Sequence, residues 1–155
     1  MTVLRKRQVR PGIAVLLTVV LSLACAGAAA EQFQQFGDLQ VHYNVFNSTA
    51  ISAEMADRYA LRRGEDIALV NVAGRRVLED GSTRAVRLVV EGTVMNLIGQ
   101  LRETRFDLIE EPEAIYYMLS TRFTDRETLI FELSVTDTET ERTYPMRFQK
   151  ELWKQ

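Results

Sequence analysis

Apolar and polar residues alternate along most of the chain after Asp38. In residues 38–46 every odd position is apolar, namely Leu39, Val41, Tyr43 and Val45. An alternation with period two predicts a β-strand that buries one face. His42 falls between the apolar positions, so we expect it on the more polar face of this strand.

The alternation stops after the strand and returns further along the chain. Ser52 is placed to cap a short helix through "AEMADRYALRR", with Met55, Ala56 and Tyr59 spaced to face the core. The segments "DIALVNVAG" and "RRVLED" then predict two strands. Turn residues at Asp80-Gly81-Ser82 separate them from a third run, "TRAVRLVVEGTVMNLIG".

In this third run the even positions form one apolar face, made of Val86, Leu88, Val90, Val94 and Ile98. Gly92 shares that face, which indicates a bulge or a close approach of two backbones. Asn96 shares it as well. We therefore expect Asn96 to be a buried amide that needs hydrogen-bond partners.

The C-terminal third predicts a series of hairpins. "TRFDLIEE" turns at Pro112 into "AIYYMLSTRF", which turns at Thr124-Asp125 into "ETLIFELSV"; the polar loop "TDTETE" leads to the closing "RTYPMRFQKELW". Pro145 lacks an N–H donor, so the last strand belongs at a sheet edge or starts irregularly. Seven or eight such strands predict an all-β fold, an immunoglobulin-like antiparallel β-sandwich with one short helix after the first strand. A closed barrel is the alternative.

The first thirty residues have the layout of a secretory signal peptide. Basic residues precede an uncharged apolar run, and small residues at Ala28 and Ala30 favour cleavage before Glu31. The alternatives are an uncleaved N-terminal anchor and a lipoprotein acylated at Cys25, although Ser22 stands where a large aliphatic residue is usual. We expect residues 1–30 to be removed and residues 31–155 to form a single periplasmic domain with no membrane span.

Removal of this leader changes the charge and leaves no cysteine. Four of the 19 basic residues lie in the leader, so 15 basic and 21 acidic residues remain, a net charge of about −6. Such a balance disfavours nucleic acid and anionic lipid as partners, because both require a basic surface. Without cysteine the exported domain must be held together by packing alone.

The residue types offer little catalytic chemistry. His42 is the only histidine, and a triad would need it to activate a hydroxyl such as Ser48, yet no glycine-flanked nucleophile turn surrounds that serine. Zinc is disfavoured by the shortage of Cys and His ligands. Calcium at "EEPE" or "TDTETE" lacks the usual ligand spacing, so solvated turns are favoured there. No glycine-rich phosphate loop follows a strand, so no cofactor is expected.

Four sequence blocks carry a family resemblance. "GDLQVHYNVFNST", "EGTVMNLIGQ", "EEPEAIYYM" and "MRFQKELW", in this order, resemble domain-of-unknown-function family four-four-two-six, a group of small exported bacterial proteins, over residues 33–153. The resemblance implies a periplasmic, β-rich protein and carries no activity to any position. Its motif residues map onto His42, Tyr43, Asn44, Asn47, Ser48, Asn96, Leu97, Gly99, Gln100, Tyr116 and Tyr117.

These observations favour a non-enzymatic binding or accessory module that engages a periplasmic protein or envelope component. The candidate binding residues are His42, Asn44, Asn47, Ser48, Asn96, Tyr116 and Tyr117. One alternative is a small-ligand carrier with a pocket between the sheets lined by Tyr116 or Tyr117, and another is an unusual envelope hydrolase using His42. For "HYNVFNST" we favour a structural corner, in which Asn44 and Asn47 bond backbone groups and Asn96 joins them from the neighbouring strand.

Overall fold

The computed structural model describes residues 32–102 and 104–154, and strands dominate it. The expected signal peptide, residues 1–30 with Cys25, lies outside the described residues. In chain order the strands of the described part are β1 (Gln32–Phe36), β2 (Leu39–Asn47), β3 (Ile67–Val77), β4 (Thr83–Val86), β5 (Leu88–Asn96), β6 (Leu101–Arg102), β7 (Asp107–Glu111), β8 (Ala114–Arg122), β9 (Glu127–Asp137) and β10 (Arg142–Leu152).

The strands form two antiparallel sheets. Sheet A has the order β1-β2-β3-β8-β7, with β4 also paired to β3, and sheet B has the order β10-β9-β5-β6. Buried apolar residues from both sheets make one core cluster. The predicted β-sandwich is therefore confirmed, and the described residues form two separate sheets rather than one closed barrel.

The run "TRAVRLVVEGTVMNLIG" is two strands in different sheets. Val86 ends β4 in sheet A, and Leu88 begins β5 in sheet B, so the chain crosses between the sheets at the exposed Arg87. Val86 and Leu88 nevertheless both face the core, as predicted. Ile98 does not, because β5 ends at Asn96 and leaves Ile98 79% exposed in the following turn.

The segments predicted as two strands, "DIALVNVAG" and "RRVLED", form the single strand β3. Gly74 continues the strand because its lack of a side chain accommodates Leu88: a Cβ atom at this position would lie 2.9 Å from the Leu88 side chain. Buried and more exposed residues alternate along β3 from Val70 onward, and Arg76 shares the buried side with Val72 and Gly74.

One short α-helix, α1 (Ala53–Arg58), lies between β2 and β3. As predicted, Ser52 caps it, since its hydroxyl accepts a hydrogen bond from the Met55 N–H at 3.1 Å. Ala56 is buried as expected, but Met55 is 48% exposed, which corrects its expected core position. The helix is too short to bury all three predicted positions. It follows the second strand rather than the first, because an additional strand, β1, precedes the one that the sequence predicted first.

The C-terminal hairpins match the prediction. The core-facing residues of β9 are all buried, namely Leu129, Phe131, Leu133 and Val135. Strand β10 lies at the edge of sheet B, which is one of the two positions predicted for the strand that carries Pro145. The expected close approach at Gly92 is also present, because a Cβ atom there would lie 2.2 Å from the Glu132 carbonyl oxygen. Every member of the core cluster falls between Leu39 and Leu152.

Candidate functional site

The outer face of sheet A carries a groove where two strands share one edge of β3. Strand β8 pairs with β3 up to Val72, and β4 takes over the same edge at Gly74. The two strands part at this point, and a cavity of about 120 Å³ opens between them. Small side chains on three strands, Ala73, Ala85 and Ala114, line it and leave room for a ligand.

A wider depression of about 550 Å³ shares Arg75, Ala114 and Tyr116 with this cavity. Its other lining residues are Glu111 at the end of β7 and Pro112 and Glu113 in the turn to β8. We refer to the two connected spaces, both on the outer face, as the outer groove.

Arg75 is the cationic group of the outer groove. Its Nε donates to the Thr83 hydroxyl at 2.7 Å, and one of its terminal nitrogens donates to the Thr83 carbonyl oxygen at 3.1 Å. These bonds to β4 fix the orientation of the guanidinium. Among the described residues no carboxylate forms an ion pair with Arg75, although Glu111 and Glu113 line the same depression.

Asn71 supplies a hydrogen-bond acceptor to the same groove. Its Oδ1 atom is buried and has no hydrogen-bond partner among the described residues. A buried carbonyl oxygen without a partner costs about 1–3 kcal/mol, and a bound N–H or O–H group would recover that cost. Arg75 and Asn71 lie on the same side of β3, four residues apart, with Ala73 between them.

Tyr116 forms one wall of both spaces and is half-buried. Tyr59, the residue that follows α1, donates a hydrogen bond from its hydroxyl to Glu111 beside the mouth of the groove. This bond raises the pKa of Tyr59. The helix thereby connects to the β7–β8 turn that borders the groove.

His42 also lines the smaller cavity, from β2. It is half-buried on the outer face, as expected for the more polar side of the strand, and its ring lies 5.3 Å from that of Phe33 on β1. Ser48 is fully buried six residues away, roughly 20 Å along an extended strand. The His42 and Ser48 side chains are therefore not assembled as a catalytic pair.

The end of β2 fastens the chain to itself. The Ser48 hydroxyl donates to the Gly64 carbonyl oxygen and accepts from the Gly64 N–H, both at 2.9 Å. The Asn47 amide donates to the Trp153 carbonyl oxygen at 2.6 Å and so ties sheet A to the end of sheet B. These two residues occupy a structural corner.

Asn44 and Asn96 do not belong to this corner, contrary to the expectation. Asn44 is exposed on the outer face of β2, opposite Asn71. Asn96 belongs to β5 in sheet B, so it is not on a strand neighbouring β2. The alternation of apolar and polar residues correctly placed both residues in strands, but it does not show to which sheet a strand belongs.

Asn96 is instead the centre of a polar network of its own. It is 8% exposed, as predicted for a buried amide. Its Nδ2 donates to Gln100 and to Glu127 at 2.8 and 3.0 Å, and its Oδ1 accepts from the Gln100 N–H at 2.9 Å. Glu127 also forms an ion pair with Arg102. The network closes the turn between β5 and β6.

The two tyrosines point to opposite faces of β8, as predicted. Tyr117 is 6% exposed in the core, and its hydroxyl accepts a hydrogen bond from the Leu88 N–H at 2.7 Å. Burial raises its pKa. Tyr117 thus links the two sheets and does not line the outer groove, which lies outside the sandwich rather than between the sheets. Of the seven candidate binding residues, only His42 and Tyr116 line the groove.

Sequence reasoning missed Asn71 and Arg75. The available signal was the alternation in "ALVNVAGRR", where Asn71, Ala73 and Arg75 occupy the face opposite Val70 and Val72. That pattern identifies an outer face but not a groove, because the parting of β4 and β8 is a property of the sheet. In the described ranges no cluster of three Asp, Glu, His or Cys residues is placed to hold a metal ion. The same ranges contain no helix of the length and hydropathy needed to cross a membrane.

Together these features define an antiparallel β-sandwich with a groove on one outer face. The family model of DUF4426, a domain of unknown function, matches residues 33–155, and the chain therefore belongs to that family. This confirms the resemblance seen in the sequence blocks.

A solved structure supports the same assignment. The chain is similar to the crystal structure, at 2.09 Å resolution, of a DUF4426 family protein from Pseudomonas aeruginosa PAO1. The two share 34% sequence identity over 81% of this chain and 96% of the other, with a TM-score of 0.68. A comparison with curated proteins finds no match.

Proposed function

We propose that the protein is an exported, non-catalytic binding module whose outer groove holds part of an envelope component or of another periplasmic protein. The observation that carries this proposal is the convergence of Arg75, Asn71 and Tyr116 on one groove. Export is supported by the signal-peptide pattern of residues 1–30. Mass spectrometry of the protein recovered after export should find an N-terminus at Glu31, and an intact N-terminal segment would contradict this part.

A binding role fits the groove better than catalysis does. The Ser48 hydroxyl both donates to and accepts from Gly64, so it has no free role as a nucleophile. His42 shares its cavity with an amide, a guanidinium, a phenol and small side chains. This combination recognises a ligand by hydrogen bonding, charge and ring contact.

The groove also indicates the chemistry of the ligand. Arg75 is oriented by Thr83 and forms no ion pair among the described residues, so it suits an anionic group such as a carboxylate. Asn71 Oδ1 requires an N–H or O–H donor. Tyr116 offers ring surface at low entropic cost. A peptide-like segment that carries a carboxylate and an amide N–H satisfies all three groups.

Partner capture tests the binding role. The protein, immobilised in its processed form, is exposed to an envelope extract beside Arg75→Gln and Tyr116→Ala variants. The matched control is Arg147→Gln, which removes an exposed arginine from β10 in sheet B. Species retained by the wild type and the control but lost from both groove variants support the proposal. Capture that is unaffected by the groove variants contradicts it.

A defined probe tests the ligand chemistry. N-acetyl-alanyl-alanine carries a free carboxylate and amide N–H groups, and its C-terminal amide serves as the matched neutral probe. We expect NMR shift changes at Tyr116 and its neighbours with the carboxylate form and about tenfold weaker binding of the amide form, the loss typical of one charge-assisted hydrogen bond. Equal binding of the two probes would rule out carboxylate recognition by Arg75.

A further inference from the structure

The turn between β5 and β6, together with the first residue of β6, presents three large aliphatic side chains to solvent. Leu97, Ile98 and Leu101 are 69, 79 and 67% exposed. We refer to these three residues as the apolar tip. Single exposed aliphatic residues are common on proteins, but three within five residues of the chain indicate an interaction surface.

The apolar tip is held rigidly from below. The side chain of Asn96 bonds both the backbone and the side chain of Gln100, and it also bonds Glu127, which pairs with Arg102. Gly99 adopts a positive φ of 78° that closes the turn. A polar network thus supports a turn that exposes aliphatic residues.

The tryptophan lies at the same end of sheet B. In the strand register Asn96 is opposite Leu129, and Leu152 is opposite Glu127, so β10 ends where β5 ends. Trp153 follows at once and is 48% exposed. The Arg126 guanidinium lies 5.3 Å from the centre of its ring. Indole rings and basic side chains of this kind are favoured at the polar boundary of a bilayer.

Charge at this end differs from that of the whole domain. Among the described residues at this end, Arg102 pairs with Glu127, and Arg126 and Lys154 accompany the carboxylate Asp125. The domain carries about −6 in total. The acidic excess therefore lies elsewhere, and a lipid surface would meet no net repulsion at this end.

We infer that the apolar tip inserts into the surface of a lipid bilayer, with Trp153 and Arg126 at the level of the headgroups. A hairpin turn is convex and would require a matching pocket on a protein partner, whereas a bilayer admits a convex apolar turn without one. The binding is driven by the burial of aliphatic surface and not by attraction between charges. This surface is separate from the outer groove on sheet A.

Vesicle sedimentation tests the inference with the processed chain, since all of the core cluster lies between Leu39 and Leu152. Trp153 is the only tryptophan and reports directly on its surroundings. With phosphatidylcholine vesicles we expect co-sedimentation and a shift of its emission to shorter wavelength. The double variant Ile98→Asn with Leu101→Asn should bind at least about tenfold more weakly, because full burial of one such side chain is worth about a factor of ten.

Val89→Asn is the matched control, since Val89 is 47% exposed on β5 away from the turn, and it should bind as the wild type does. Replacing part of the phosphatidylcholine by phosphatidylglycerol should change the affinity little. Absence of binding by the wild type, or equal binding by the double variant, overturns the inference. A double variant that keeps vesicle binding but loses a captured protein would overturn the inference and assign the apolar tip to a protein partner. The capture experiment with the Arg75 and Tyr116 variants tests the outer groove separately, so failure of one proposal can be told from failure of the other.

Discussion

Arg76 on β3 donates a hydrogen bond to Asp137 on β9 at 2.7 Å, and both side chains are buried. This ion pair joins sheet A to sheet B. Arg76 also pairs with Asp38 and Glu139, whose side chains are more exposed. Burial would lower the pKa of Arg76, but these three carboxylates raise it above its ordinary value. The guanidinium is therefore charged at every pH at which the protein folds.

Truncation of Arg76 should destabilise the protein strongly. Arg76→Ala leaves the Asp137 carboxylate buried without its cation, which typically costs about 3–5 kcal/mol. For a domain of this size we expect the thermal unfolding midpoint to fall by roughly 10–20 °C. The control, Arg84→Ala, removes an exposed partner of Glu139 and should cost at most about 1 kcal/mol. Similar midpoints for the two variants would contradict the assigned role of the pair.

Acid should weaken the fold through the same cluster. The hydrogen bond from Arg84, against a smaller opposing effect of burial, lowers the pKa of Glu139 from 4.5 to about 2. Burial would raise the pKa of Asp137, but Arg76 and Thr140 hold it below its ordinary value. A carboxylate with a lowered pKa stabilises the fold above its unfolded value and loses that effect as the pH falls towards its folded value.

The free energy of unfolding should therefore decrease between pH 4.5 and about 2, as measured by urea unfolding at a series of pH values. Glu139→Gln removes one titrating group and should flatten this decrease. A curve for Glu139→Gln that runs parallel to that of the wild type would show that Glu139 does not contribute.

Asn96 and Asn44 should differ sharply in stability. Asn96→Ala removes hydrogen bonds to Gln100 and Glu127 in a buried network and should cost about 1–3 kcal/mol. Asn44→Ala changes an exposed side chain and should stay within about 0.5 kcal/mol. Urea unfolding of both variants checks the difference, and an equal loss would return Asn44 to a structural role.

Ser48→Ala tests the corner at the end of β2. The Ser48 side chain is fully buried, so the variant leaves the N–H and C=O groups of Gly64 without their shared hydrogen-bond partner. We expect this to cost about 1–3 kcal/mol of stability. Ser134→Ala, an exposed serine on β9, is the matched control. A thermal midpoint unchanged from the wild type would show that Ser48 does not fasten the corner and is available for another role.

The buried ion pair shows what sequence patterns can miss. Asp137 lies in the polar segment "TDTETE", which predicted solvated turns. That expectation is wrong for Asp137, which is fully buried and accepts hydrogen bonds from Arg76 and Thr140. The signal was its phase, because Asp137 continues the odd positions of Leu133 and Val135. The polar composition of the segment suggested solvent exposure, whereas the alternation along β9 places Asp137 on the buried side. Arg76, the buried cation that pairs with Asp137, is distant in the chain.

The site shows the same limit. Period-two alternation correctly placed Tyr116 and Tyr117 on opposite faces, but it did not indicate which of them faces the core. It also could not find Asn71 and Arg75, because a groove forms only where β8 gives way to β4 along β3. Strand order depends on contacts between residues far apart in the chain, and local pattern carries no information about them.

The sequence by itself determined the strands of the C-terminal hairpins, the capped helix, the edge position of Pro145, the close approach at Gly92 and the buried amide of Asn96. Each of these follows from local backbone chemistry or from the period of side chains along a strand. Only the tertiary structure decided that one apolar run crosses between sheets at Arg87, that Arg76 meets Asp137, and that Arg75 and Tyr116 share a groove. The physical reason is that hydrogen bonding between strands and burial between sheets act across the chain, whereas alternation acts along it.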